Sequence, residues 1–420
     1  MRKILVVGAG QSGLQLALGL LAEDYDVTLV DPREPEEVRA GRVMSTQCLF
    51  GPALRRERRH GLDFWGDRAP DITGVGVRVA ADGGTAPEVD WVGRLDEPAR
   101  SVDQRLKLAV WAELFAQGGG RVLRHRVTPH DLVSLRADHD LVVIAAGRGE
   151  LAGLFPRDER RSPFTAPQRV LSLAYVTGAD PHPHGPVMGR TAVPGAGELL
   201  TLPTLSVSGV CQSLMVEAVP GGPLDHPLPR GATSEEVLDA LLGILRRHAP
   251  WEHERFTHAR LADPLAALHG AHTPVVREPV ARLTDGTPVL GMADSVVNND
   301  PVTAQGANMA SLSADVYRRA IVDHGTRPFD ERFMRAAFAA YWRHARQVTA
   351  WSRVMLTGPH HVWELYRLAD RHQPTADRFA NAFGDPAGLI DWFLHPERAT
   401  AYVDDVRRSA SATSSHVPIS

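Results

Sequence analysis

Ile4-Leu-Val-Val-Gly-Ala-Gly-Gln-Ser-Gly13 runs a short apolar segment straight into three spaced glycines, and Leu14 to Leu21 then carries apolar residues at helical density. The pattern predicts strand, tight turn and helix. Gly8 permits the turn and Gly10 lets backbone approach a pyrophosphate. Gly13 lets helix and strand pack, and the free N–H groups of the helix start, at Gln11 and Ser12, meet the anion. Val27-Thr-Leu-Val30 reads as the next parallel strand. Asp31 at its end stands where an acid accepts hydrogen bonds from ribose hydroxyls. Three glycines alone are a weak signal, but with a strand before, a helix after and this acid they predict a dinucleotide site rather than an ordinary glycine-rich turn.

A second segment far downstream has matching grammar. Val289-Leu-Gly-Met-Ala-Asp294 reads as a strand ending in an acid, and the Pro301 to Gln305 loop feeds a helix starting at Gly306-Ala307-Asn308. Asp294 read alone fits a helix cap; read with Gly291 and Gln305 to Asn308, it belongs beside a ribityl or pyrophosphate group. A site with its halves so far apart is not a simple nicotinamide domain, and resembles the FAD site of aromatic-hydroxylase flavoproteins. A helix N-terminus aimed at the isoalloxazine would stabilise the negative charge of reduced flavin near N1 and the C2 oxygen.

At 420 residues, 43% hydrophobic and net charge −4, the chain can bury a large core. Cys48 and Cys211 are the only cysteines, without paired or metal-type spacing. This fits inert thiols in a reducing cytoplasm. The chain enters its first strand without a signal-peptide pattern, and no apolar run approaches the ~18 residues of a membrane span. A soluble, cytoplasmic protein with no membrane partner is the expectation. Leu54-Arg-Arg-Glu-Arg-Arg-His60 is a dense basic cluster, but with negative net charge and no interleaved aromatics it reads as a solvated helix face or flavin-phosphate neighbour. No nucleic acid is expected.

Between the two halves, Ile72 to Ala80 and Val89 to Gly93 resemble strands of a second sheet. Ser101 to Phe115 returns to helical periodicity and stops at Gly118-Gly-Gly120, and Asp140 to Gly147 is a further buried strand. From Pro163 to about Pro274 the chain is β-rich: Arg169 to Val176, Gly185 to Val193, Glu198 to Leu202 and Val210 to Val219. Thr233-Ser-Glu-Glu236 has capping-box spacing and opens an amphipathic helix. Helices are expected over Phe329 to Trp342, Ala350 to Leu356 and Trp363 to Arg371, and a disordered tail over Ser409 to Ser420. The division this predicts is an α/β chain with a discontinuous Rossmann-like FAD/NAD(P)-binding domain (1–50, 100–160, 275–325). Interwoven with it are a β-rich substrate domain (51–99, 161–274) and a C-terminal helical region (326–408).

Taken together, Gly8 to Gly13, Ser101-Val-Asp-Gln-Arg105, Asp140-Leu-Val-Val, Ser162-Pro-Phe-Thr-Ala-Pro-Gln-Arg169 and Asp300-Pro-Val-Thr-Ala-Gln-Gly-Ala-Asn-Met-Ala-Ser311 resemble the oxygenase component of the styrene and indole monooxygenase family. The resemblance runs from residue 3 to about residue 400. It implies a p-hydroxybenzoate-hydroxylase-like fold and FAD reduced by a separate flavin reductase, then used with O2 to epoxidise or hydroxylate a small aromatic substrate. It also implies that Arg105 contacts the FAD and that Arg42 lies near the flavin at the active-site edge. In Gly41-Arg-Val-Met-Ser-Thr46 the family usually has Asn where this chain has Ser45, and Gln47 and Leu49 also depart from the styrene enzymes. Those departures bear on the substrate more than on flavin handling.

A flavin hydroperoxide is itself the oxidant, so the protein needs no nucleophile, acid-base residue or metal, only a dry pocket beside the ring. Met44, Gln47, Leu49 and Phe50 are the expected walls, with Arg42 and Ser45 at the flavin edge. Leu173, Leu202 and Met215 read as core. The histidine pairs lack partners at zinc-ligand spacing, no Gly-x-Ser-x-Gly elbow occurs, and the Trp-x-Trp-x-Ile-Pro segment of halogenases is missing. Ala146-Gly147 replaces the Asp-Gly pair of single-component NAD(P)H hydroxylases, which favours reduction from outside. N- or S-oxygenation on a related scaffold is the alternative chemistry, and a homodimer is a common assembly.

Overall fold

The structure is a computed structural model that describes residues 1–81, 86–147, 149–229 and 231–414. Lys3–Val7 is central to a six-stranded sheet and pairs in parallel with Asp26–Val30 on one side and Leu141–Ile144 on the other. Arg121–Leu123 extends the sheet beyond the former, Pro288–Gly291 beyond the latter, and antiparallel Val280–Arg282 closes that edge. Strands covered on both faces read as continuous apolar runs, which is why Ile4 to Val7 shows no alternation. The strand expected over Val289 to Asp294 ends at Gly291. Ala293–Ser295 turns sharply instead, with Ala293 at φ +50°.

An eight-stranded sheet collects distant segments. Its order is Arg260–Leu261, Val170–Thr177, Gly209–Ala218, Gly197–Ser206, Val187–Val193, Asp71–Ala80 and Pro87–Arg100, with Ala267–Ala271 also on Val170–Thr177. Asp71–Ala80 pairs in parallel with Val187–Val193, so the early and late β segments interleave in one layer. One face packs Val176, Leu199, Leu214 and Val216 against the helix Ser234–His248. That helix starts with the expected reciprocal capping box, Thr233 with Glu236. The opposite face packs Val75, Val77, Met188 and Leu202 under the C-terminal helices.

Those helices are Glu331–Thr357, His360–Ala369, Gln373–Asn381 and Pro396–Ser414. The pair of helices expected over 329–356 is one helix. No Gly or Pro interrupts it, and the buried positions Ala345, Val348 and Trp351 continue the helical spacing. Residues 409–414, expected to be disordered, extend the last helix, because alanine favours helix and buried Ala399 and Val403 anchor its start. The rest of that tail lies outside the described residues. Among the described residues, no helix is long and apolar enough to cross a membrane.

The basic cluster lies on the helix Gly51–Arg59. Three of its four arginines are paired, Arg55 with Glu97, Arg58 with Asp63 and Arg56 with Asp315. Glu57 turns inward to a wholly buried ion pair with Lys107. Both cysteines are buried and unpaired, and burial pushes their thiols up, that of Cys211 to about 12.

Candidate functional site

The helices Gln11–Leu21 and Gly306–His324 lie side by side and parallel. Gln11 Nε2 donates to the Ala307 carbonyl at 3.2 Å, and four residues on, Gln15 Nε2 donates to Ser311 Oγ at 3.2 Å. At the far end Arg318 reaches Glu23 at 2.6 Å. The two N-termini therefore share one end, beside the carboxyl ends of the strands. Neither Gly10 nor Gln305 at the N-caps gives a side-chain cap. Two sets of N–H donors without a side-chain cap among the described residues, and two positive dipole ends, converge there.

The glycines before the first helix do different jobs. Gly8 takes φ +110°, and a Cβ on Gly13 would sit 2.0 Å from the Gly8 carbonyl oxygen. Gly10 has nothing within 4 Å of a Cβ position and faces open space. An open backbone next to free helix donors fits a pyrophosphate. Asp31 Oδ2 accepts from Ala9 N at 3.0 Å and Oδ1 from Arg33 N at 3.0 Å, so the acid also braces the glycine turn.

Asp294 sits close to the other strand end. A Cβ on Gly147 would lie 2.5 Å from Asp294 Cβ, so glycine is needed where the two loops meet. Asp300 Oδ1 accepts from Val302 N at 3.1 Å and caps the turn Pro301–Thr303, which leads through Ala304 at φ +53° into Gln305 and Gly306. Burial pushes the Asp300 carboxyl up to about 6. Arg190 Nη1 donates to the Val302 carbonyl at 2.7 Å and fastens this loop to the large sheet.

The segment 42–50 crosses between the sheets. Arg42 Nη1 donates to Ser234 Oγ at 3.2 Å and to the Ala267 carbonyl at 2.8 Å. Ser45 Oγ donates to the Thr46 carbonyl at 2.9 Å, and its own carbonyl accepts from Tyr175 OH at 3.1 Å. Gln47 is buried, with Nε2 on the Val102 carbonyl and Oε1 without a hydrogen-bond partner among the described residues. Leu49 N donates to the Arg100 carbonyl at 2.8 Å. Asn308 Oδ1 accepts from Phe50 N at 3.1 Å, its Nδ2 donates to the Cys48 carbonyl at 2.9 Å, and the Phe50 ring packs 5.2 Å from Phe383. Cys48 and Phe50 are thus held against the start of the downstream helix.

Two of the expected site residues are engaged by protein groups. Met44, expected as a pocket wall, packs against the core of the six-stranded sheet with its sulfur 3.3 Å from Arg33 Nη1, while its neighbour Val43 faces Leu173, Leu200 and Met215. Successive residues of the segment point opposite ways. Arg105, expected on the FAD, is 1% exposed and spends its donors on protein. Nε and Nη2 meet Asp103, Nη1 and Nη2 form a fork on Asp263 at 3.0 and 2.7 Å, and Nη1 also meets the Gly41 carbonyl at 3.1 Å. Burial alone would lower its pKa, but Asp263 and Asp103 hold it above its usual value. It braces the Gly41–Arg42 turn and offers a ligand no donor in this arrangement.

Tyr175, Arg190, Asp263 and Ser213, whose Oγ donates to Thr46 Oγ1 at 3.1 Å, join the site without a sequence expectation. Arg190 had a signal, being the one charge in the apolar strand Val187–Val193. Tyr175, Ser213 and Asp263 had none, since their roles depend on contacts across the fold.

Residues 147–255 match the family described as "Styrene monooxygenase A putative substrate binding domain". A styrene monooxygenase, StyA, of Pseudomonas fluorescens is 30% identical over 406 residues, 94% of this chain and 96% of its own length. Among solved structures, the flavin-dependent brominase Bmp2 superposes with a TM-score of 0.67 at 15% identity, covering 97% of this chain and 99% of that one. The 2-methyl-3-hydroxypyridine-5-carboxylic acid oxygenase does so with 0.59 at 16% identity, covering 89% and 97%. The two structures establish the fold, shared by brominase and oxygenase alike, and the near full-length relative decides between them: this chain belongs to the styrene monooxygenase family and is a flavin-dependent monooxygenase.

Proposed function

We propose that the chain is the oxygenase component of a two-component system, taking FAD already reduced by a separate flavin reductase and using O2 to epoxidise or hydroxylate an aromatic substrate of the styrene or indole type. The observation that carries this reading is the convergence of two uncapped helix N-termini. Two positive ends favour an anionic dinucleotide, and the downstream one favours the ring in its reduced, negatively charged form. Ala146 supports outside reduction, because it stands where self-reducing hydroxylases carry the acid of the Asp-Gly pair that serves both FAD and NADPH.

When bound, the flavin supplies electrons and the activation of dioxygen. The chain holds and shields it. Gly8, Gly10, Gln11, Ser12 and Gly13 cradle the pyrophosphate, Asp31 and Asp294 flank the sugar chain, and Pro301, Gln305, Gly306, Ala307 and Asn308 present the second helix start to the ring. Ser45 to Phe50 close the ring's edge, with buried Gln47, Leu49 and Phe50 nearest the substrate. The apolar patch of Val43, Leu173, Leu200 and Met215 keeps water away.

The test is to mix purified chain with chemically reduced FAD, air and styrene or indole, with catalase present, and to follow epoxide or indigo. Oxygenated product without any nicotinamide supports the reading. Rapid bleaching of bound FAD by NADH or NADPH alone would instead select a self-reducing hydroxylase.

A further inference from the structure

A cavity of about 300 Å³ lies between the eight-stranded sheet and the C-terminal helices, and none of residues 8–13, 42–50 or 300–308 lines it. Val77 and Ala192 of the sheet and Met355, Val362, Trp363 and Tyr366 of the helices form apolar and aromatic walls. Its charged lining is Arg169, Arg190 and Glu198. Arg169 and Glu198 satisfy each other through two parallel bonds of 2.9 and 3.0 Å. Arg190 is different. It is 4% exposed and gives one bond to Val302, and among the described residues it has no carboxylate within the 4.0 Å of an ion pair. Glu217 lies in the same region, wholly buried with neither carboxyl oxygen hydrogen-bonded among the described residues, and burial, with Glu198 and Asp300 nearby, drives it toward its neutral form against the opposing pull of Arg190 and Arg169. Among the charged side chains that line this cavity, the one without an ion-pair partner among the described residues is the Arg190 guanidinium.

A buried cation without a counter-ion is costly, and a planar guanidinium matches a carboxylate through paired bonds. Aromatic walls around a cavity of this volume suit one or two rings. We propose that this cavity binds a small aromatic carboxylate, with Arg190 as its anchor. The site is separate from the place of oxygenation, yet the same arginine holds the Val302 carbonyl in the loop that leads to the flavin helix. An acid drawing Arg190 toward itself competes with that bond, so ligand and flavin affinities are linked.

Trans-cinnamate, titrated calorimetrically into the full chain with and without FAD, tests the site. Cinnamate is expected to bind, with cinnamamide, its neutral counterpart, about tenfold weaker or worse. Arg190→Gln should weaken cinnamate at least about tenfold. Ala192→Leu fills part of the cavity while keeping the arginine and should do the same while the thermal midpoint stays near that of the parent. Saturating cinnamate should also shift the Kd for FAD in the parent but not in Ala192→Leu. No binding at millimolar cinnamate, equal binding of the amide, or undiminished binding in Ala192→Leu would overturn the proposal. These readouts need no turnover, so failure of the oxygenase reading leaves them unaffected.

Discussion

The turn glycines separate folding from binding within one motif. A Cβ on Gly13 meets the Gly8 carbonyl at 2.0 Å, whereas one on Gly10 meets open space at an unstrained φ of −75°. Gly13→Ala is expected to destabilise the chain by roughly 1–3 kcal/mol, as overpacking does. Gly10→Val should change stability by less than about 0.5 kcal/mol and weaken FAD at least about tenfold; equal thermal midpoints with unequal flavin titrations are the check. Asp300 makes a pH prediction. Its carboxyl, ordinarily near 3.8, is pushed up to about 6 in the fold by burial. The folded chain then binds the extra proton, so this group's effect on stability becomes less favourable as pH rises from about 4 to about 6 and is constant above. Asn keeps an acceptor for Val302 N without the charge. Asp300→Asn should therefore stabilise the chain at pH 7.5 by up to about 2–3 kcal/mol and lose that advantage near pH 4, as read by urea midpoints at both values. The glycines were legible as a motif, but which one faces ligand was not, because that depends on what the downstream helix leaves uncovered.

At the scale of elements, helix Gln373–Asn381 rests directly on the strand Pro87–Arg100. A Cβ on Gly93 would sit 2.0 Å from the Ala376 carbonyl oxygen and 2.8 Å from Ala380 Cβ. Backbone cannot yield as a side-chain tip can, so Gly93→Ala is expected to cost roughly 2–3 kcal/mol, visible as a lowered midpoint in chemical denaturation. Thr233→Ala removes one half of a reciprocal cap and should cost about 1 kcal/mol by the same measurement. That cap could be read from four residues, since its partners are neighbours in sequence. The union of 329–356 into a single helix was harder to see, because polar surface residues between Trp342 and Ala350 hide the buried positions Ala345 and Val348.

Across the whole molecule, Arg105 ties the helix Gln104–Gln117, the Gly41 turn and Asp263 of the second sheet's lobe into one buried knot. Arg105→Met leaves Asp103, which is 0% exposed, buried without its cation, and should cost about 3–5 kcal/mol. Adding Asp103→Asn, which keeps the helix cap, should recover part of that loss in a double-mutant comparison; no recovery would mean the knot acts by packing alone. What the sequence determined by itself is local: the strand, turn and helix around Gly8 to Gly13, the downstream loop and helix at Pro301 to Asn308, the β-rich middle and the capped helix after Thr233. Each depends on spacing within a few residues, where backbone geometry and apolar periodicity act. What only the tertiary structure decided is which of these parts meet. The register of Gln11 on Ala307, the turning of Met44 away from Val43, the use of every Arg105 donor on protein and the bare charge of Arg190 beside a cavity all depend on contacts between segments far apart in the chain. Burial and pairing at such contacts follow from how the sheets and helices pack, and a side chain's neighbours in sequence do not report them.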